Sequence, residues 1–210
     1  MKTAIVRPRR GRPPDPERRE RRREEILDAA ARVFAERGYA ETEVQQVADA
    51  LGVGKATVYR HFPTKEALFL AALDARMAAL DARMEEIRGG ADPLDAIVRG
   101  IHGYLAFFDR HPEVVELLVQ ERAAFRDRVK PTYFRYRDRC QEPWNRILRD
   151  LRRRGVVRRV PIARISEVVG DALYGTIFTN HFAGRRKSFE AQARDLVDIL
   201  FHGMLQGERP

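Results

Sequence analysis

The 210-residue chain has a single cysteine, Cys140. That leaves no partner for an intrachain disulfide and no Cys-based metal cluster, and it fits a reducing cytoplasm. Long apolar runs are also missing: the longest stretch free of charge, Ala172 to Gly184, is 13 residues, short of the roughly 18 to 20 a membrane-spanning helix needs. The start of the chain has no secretory pattern, because its basic residues lead into Gly, Pro and more charge instead of an apolar run. Sustained apolar–polar alternation is nearly absent, so strands are not expected. The five histidines, His61, His102, His111, His181 and His202, show no spacing typical of a metal site and read as structural or exposed. A soluble, cytoplasmic protein with no metal, no cofactor and no membrane contact is expected.

What is abundant is basic charge at one end. The formal net charge is +9. From Met1 to Arg23 ten basic residues face three acids, a net of +7, which leaves +2 for the rest of the chain. A basic arm on a nearly neutral body points to nucleic acid or an anionic surface. With 44% hydrophobic residues, the body can bury a real core.

Apolar spacings of three and four recur throughout, which predicts an all-α fold of about nine helices. Residues 1–15 read as the arm, 16–64 as a small helical domain and 65–206 as a larger helical domain. A first helix is expected from near Pro16 to before Gly38, with Ile26, Ala30, Val33 and Phe34 inward. Thr42, with Gln45 three positions on, reads as the N-cap of a short second helix that Gly52 stops. A third runs from about Lys55 to His61. Pro63-Thr64 starts a long fourth helix, and Asp92-Pro93, His111-Pro112 and Lys130-Pro131 start three more. Pro143 is expected to kink or divide the last of these. Two closing helices share one apolar template: Ile165, Val168, Val169, Ala172, Leu173, Thr176, and Ala193, Leu196, Val197, Leu200, Phe201, Met204.

Thr42 to Phe62 has the form of a helix-turn-helix. Small Ala48 allows close helix approach, Gly52 makes the turn, and Val47, Leu51, Val53 and Val58 lock the crossing, which presents the second helix to a major groove. The run Gly52-Val53-Gly54-Lys55-Ala56-Thr57-Val58-Tyr59-Arg60-His61-Phe62-Pro63-Thr64-Lys65-Glu66-Ala67-Leu68-Phe69 resembles the DNA-binding signature of TetR-family regulators. The likeness extends back to Glu24 through Ile26-Leu27-Asp28-Ala29-Ala30 and Phe34-x-x-x-Gly38-Tyr39. Gly54 departs from it, standing where the family more often has Ser or another polar residue.

The resemblance implies that Gln45, Lys55, Ala56 and Tyr59 face bases and that Thr42, Thr57, Tyr59, His61 and Lys65 hold phosphates. Arg10-Gly11-Arg12-Pro13 resembles an AT-hook core, which would put Arg10 and Arg12 in an A·T minor groove; the plainer reading is a solvated tail. The family resemblance further implies a homodimeric, ligand-responsive repressor on a palindromic operator, released by a small, largely apolar effector. Phe108, Trp144, Tyr174, Phe178 and His181 are the candidate effector contacts. Val168, Ala172, Leu173, Leu196, Val197, Leu200 and Phe201 are the candidate dimer contacts. An activator, or a ligand-independent regulator with a solid core, is the alternative. Gly52 to Thr57 only superficially resembles a phosphate-binding loop, since Asp49 stands at the first glycine position, Ala56 follows the lysine and no strand precedes it. No catalytic constellation is visible, and no enzyme activity is expected.

Overall fold

The computed structural model describes residues 15–89, 92–184 and 187–203. Arg10, Arg12 and Met204 lie outside the described residues. Among those described there are nine helices and no strand: α1 (Pro16–Arg37), α2 (Val44–Ala50), α3 (Lys55–His61), α4 (Lys65–Arg88), α5 (Pro93–Arg110), α6 (Glu113–Ala124), α7 (Thr132–Arg153), α8 (Ile162–Ala183) and α9 (Phe189–His202).

Side chains placed to satisfy orphan amides set several helix starts. Asp15 accepts from the Glu17 amide at 3.1 Å, Thr64 from Ala67 at 3.0 Å, and Asp92 from Leu94 at 2.8 Å. Gly38, at φ +85°, ends α1 in a conformation that an L side chain resists.

Two features differ from the sequence reading. Thr42 is not the N-cap of α2. Its hydroxyl donates to the Gly38 carbonyl at 2.7 Å and the residue is buried. Glu43 takes the cap instead, with the Gln46 side chain accepting its amide at 2.9 Å in a capping box one residue later. Pro143 does not divide α7, which continues through it. Side-chain links to α4 brace the helix on both sides of the proline, Arg139 to Asp81 at 3.0 Å and Trp144 under the Arg88 guanidinium at 5.5 Å.

The helices pack around α4, which leaves the helix-turn-helix and traverses the larger body. Its buried face is the one that apolar spacing predicts, Leu68, Phe69, Ala72, Leu73, Leu80, Met84 and Ile87, with Met77 added. A third link, Arg135 to Asp74 at 2.9 Å, lies nearer the start of both helices. The order of the three shows that α4 and α7 run in the same direction, and α7 continues past the end of α4. Gly100 of α5 is buried against the Trp144 indole.

The two ends of the molecule meet at α1, α4 and α6. Phe34 and Phe69 cross edge to face at 5.1 Å, and Tyr39 packs on Phe125 at 4.9 Å. Gln120 of α6 donates from Nε2 to the Phe34 carbonyl of α1 at 2.9 Å. Arg76 of α4 sits 3.0 Å from Asp28 of α1 and 3.1 Å from Glu113 of α6. Behind this joint Glu121, 1% exposed, accepts from the Thr132 amide at 3.0 Å and the Thr132 hydroxyl at 2.7 Å, with Arg128 at 3.5 Å. No side chain at Pro131 caps α7, so the Glu121 carboxylate does so from the previous helix.

Candidate nucleic-acid interface

Val47, Ala48 and Val58 are fully buried, which pins α3 against α2. The turn between them is closed by the Gly52 amide on the Asp49 carbonyl and the Val53 amide on the Ala48 carbonyl, both at 3.0 Å. Gly52 has φ +63°, so the turn needs a residue without a Cβ. The outcome is a seven-residue helix with one side held and the other open. Lys55, Ala56, Tyr59 and Arg60 are exposed, and Thr57 and His61 partly so. Lys55 and Tyr59, Ala56 and Arg60, and Thr57 and His61 are each four apart, so they form three neighbouring rows around the side of α3 opposite buried Val58. The Lys55 ammonium lies 5.7 Å over the Tyr59 ring.

Arg60 is absent from the sequence-derived set, although it stands one turn after Ala56 on the same row of α3 and that spacing would have found it. Arg19 and Arg23, one and two turns into α1, were also missed. With Pro16, Glu20 and His61 they line a surface groove of ≈ 480 Å³, and Arg23 stacks 5.6 Å over the Phe62 ring. Partial burial and then the neighbouring Arg60, Arg19 and Arg23 hold the His61 pKa below its usual 6.5. Its imidazole is therefore neutral at pH 7 in the free protein, and an anion in the groove would raise that pKa.

Three sequence-derived contacts are occupied internally. Gln45 donates to Asp49 at 2.7 Å. Thr42 is turned inward, as described above. Lys65 donates its ammonium to the carbonyls of Tyr39, Ala40 and Thr42 at 2.8, 3.1 and 3.0 Å, and stands 4.7 Å over the Tyr39 ring. An ammonium has three protons to give, and all are spent on the turn between α1 and α2. Without DNA, Lys65 and Thr42 thus brace that turn from within.

In the larger body, Tyr104 of α5 and Tyr133 of α7 share a hydroxyl–hydroxyl bond of 2.9 Å. Burial lifts Tyr104 well above 10 and Tyr133 to about 12. Phe108 packs on Tyr104 at 5.0 Å, Tyr174 on Tyr133 at 4.7 Å, and Phe178 on Tyr174 at 4.3 Å. The structure thus brings three of the five effector candidates around the tyrosine pair. Trp144 is not among them: eleven residues beyond Tyr133 on α7, it lies about 16 Å further along, against Gly100 and Arg88. His181 faces Glu116 of α6 at 3.1 Å.

Among the dimer candidates Val168 and Phe201 are 55% and 40% exposed. Ala172, Leu173, Leu196, Val197 and Leu200 are half-buried. Phe182 and Ile199 extend the exposed apolar surface of α8 and α9. Among the described residues no helix is long and apolar enough to cross a membrane, and no group of three potential ligands is placed to hold a metal ion.

Cys140 donates to Asp81 Oδ1 at 2.8 Å, and burial followed by the Asp81 charge pushes its thiol up to about 12. Only the thiolate reacts. At pH 8 the native thiol is expected to react with Ellman's reagent about a thousandfold more slowly than in denatured protein, whose cysteine titrates near 8.5. Asp81→Asn should recover at least tenfold of that rate, and equal native and denatured rates would contradict the Asp81 contact.

The model of the tetR family of bacterial regulatory proteins matches residues 26–72. The nucleoid occlusion factor SlmA of Vibrio atlanticus is 31% identical over 137 residues, 64% of this chain and 67% of that protein. The HTH-type regulator YerO of Bacillus subtilis is 30% identical over 103 residues, 48% of this chain and 36% of that protein. The chain thus spans about a third to two thirds of the length of these curated relatives. The crystal structure of the TetR-family regulator PfmR of Thermus thermophilus superposes with a TM-score of 0.72 at 29% identity, covering 86% of this chain and 99% of that one.

Proposed function

Since the chain belongs to the TetR family of bacterial regulatory proteins, we propose that it is a cytoplasmic, ligand-responsive repressor, not an enzyme, that binds a palindromic operator as a homodimer. The observation that carries this reading is the open face of α3, where Lys55, Ala56, Tyr59 and Arg60 stand exposed on a helix held by buried Val47, Ala48 and Val58. Lys55 has the reach for guanine O6 and N7, and Ala56 suits a thymine methyl. Gln45 joins them by exchanging Asp49 for a base. Thr57, Tyr59 and His61 hold phosphates, with Arg60, Arg19 and Arg23 added, while Arg10 and Arg12 of the arm enter the minor groove.

In this reading residues 16–64 read DNA and 65–206 dimerise and take the effector. One recognition helix reads few base pairs, and a two-fold pair about 34 Å apart multiplies the specificity. The exposed Val168 and Phe201 support α8 and α9 as the pairing surface. The aromatic cluster around Tyr104 and Tyr133 is the effector site, with Phe108, Tyr174 and Phe178 as its apolar walls. A small, largely apolar molecule with one hydrogen-bonding group suits it. The complete burial of Phe108 favours a second reading, a solid core and no ligand.

Selection of bound duplexes from a random pool, with and without candidate small molecules, tests both readings. A palindrome whose recovery falls with a ligand is the expected outcome; recovery that no ligand alters supports the solid core, and recovery without sequence preference overturns the operator. Lys55→Ala should lose about 1–3 kcal/mol of discrimination at one position per half-site. An equal loss on every sequence would make Lys55 a phosphate contact instead.

A further inference from the structure

The near-neutral body conceals a second concentration of charge. Between Arg146 and Arg164 there are eight arginines and one acid, Asp150, a net of +7. These residues form the last two turns of α7, the connecting loop and the first turn of α8. The α4 and α7 register fixes their place. From Lys65, beside the helix-turn-helix, α4 runs about 36 Å to Arg88, and α7 extends about 14 Å past Trp144. The band therefore sits on the order of 50 Å from α3, at the other end of the protomer.

The band is built for presentation. Gly155 reverses the chain at φ +75°, and Arg152 donates to the Val160 carbonyl at 3.2 Å, which ties the loop back onto α7. A groove of ≈ 530 Å³ opens there, lined by Arg152, Arg153, Arg159, Val160 and Pro161. Asp150 occupies Arg153 and Arg154. Arg158 and Arg159 are exposed and make no ion pair among the described residues, so their guanidiniums face outward to an anion.

The composition names the anion. All the cations are arginine, whose planar fork matches phosphate oxygens two at a time. From Arg146 to Arg164 there is no aromatic, hydroxyl or amide side chain, hence nothing to stack on a base or read its edge. The ligand is recognised by repeated phosphates alone, and the band extends well beyond the groove, further than one small polyphosphate spans. Val156 is the single large apolar side chain exposed in the band, too little area to seat the loop in a bilayer.

We propose that the arginine band is a second, sequence-independent surface for the backbone of duplex DNA, through which a protomer seated on one duplex holds another. The bridging rests on the reading of α3 as the DNA reader; the band's own phosphate binding does not.

The test uses the full-length protein, a surface-bound duplex carrying the selected site, and a fluorescent random-sequence duplex in solution. Wild type should capture the second duplex, with capture falling steeply with salt. Arg158→Glu/Arg159→Glu alters two exposed side chains that have no ion pair among the described residues, so its melting temperature should be unchanged. It should lose at least tenfold of capture while its affinity for the single selected duplex stays within twofold. Equal capture by both proteins, or none by wild type, overturns the proposal. Sedimentation of wild type with phosphatidylglycerol vesicles in place of duplex capture would assign the band to a membrane instead. Failure of both proteins on the surface-bound duplex identifies the α3 reading as the fault, and direct titration with the random duplex then tests the band by itself: tenfold weaker binding by the double variant supports it, and equal binding overturns it.

Discussion

Lys65→Ala should melt about 6–12 °C lower than wild type and lose sequence-specific DNA binding. The Lys65 ammonium holds three backbone carbonyls, of Tyr39, Ala40 and Thr42. Hydrogen bonds to a charged group contribute about 1.5–3 kcal/mol each when well enclosed. The site is partly open, and water can replace some of them, so about 3 kcal/mol for the set is reasonable. For a chain of this size each kcal/mol moves the midpoint by about 2–4 °C. The binding loss follows from position, because these carbonyls form the turn that carries α2, and α2 carries α3. Calorimetry and anisotropy with the selected duplex separate this role from a phosphate contact. An unchanged melting temperature, with weaker binding and a salt slope shallower by about one, would return Lys65 to the DNA backbone.

Glu121→Ala should cost about 3–5 kcal/mol, the usual consequence of removing one partner from a buried charged pair. It strands the Thr132 amide, the Thr132 hydroxyl and Arg128 around an empty space. Glu121→Gln retains an acceptor for Thr132 and loses the charge, so it should fall about midway. A midpoint shift below about 3 °C for the alanine variant would show that water substitutes for the carboxylate. Phe125 follows directly after α6 and packs on Tyr39, so the alanine variant should also weaken DNA binding.

Local chemistry made much of this legible from residues alone. The caps at Thr64 and Asp92, the glycine turn at Gly52 and the inward stripe of α4 depend on neighbours a few positions away. Thr42 shows where that logic ends: its hydroxyl had two acceptable uses, and the carbonyl of Gly38, exposed by a positive-φ turn, won. Lys65 reads as a surface cation because its partners lie more than twenty residues earlier. Glu121 looks like any acid on a helix until Thr132 is folded over it. Trp144 joined the effector candidates on composition, and only the direction of α7 separates it from Tyr133. The arginine band escaped notice through averaging, since acids elsewhere bring the body to +2.

The joint between α1 and α6 has a consequence for how strongly the two halves can influence one another. The Gln120 bond to the Phe34 carbonyl and the Arg76 contacts to Asp28 and Glu113 are together worth about 2–4 kcal/mol. Linkage is reciprocal: whatever a ligand in the larger body subtracts from DNA affinity, DNA subtracts from ligand affinity. If the signal crosses by breaking these contacts, they cap the exchange at about one and a half to three powers of ten in either direction. Gln120→Leu should shrink that factor on both sides equally, leaving each partner's own binding surface untouched.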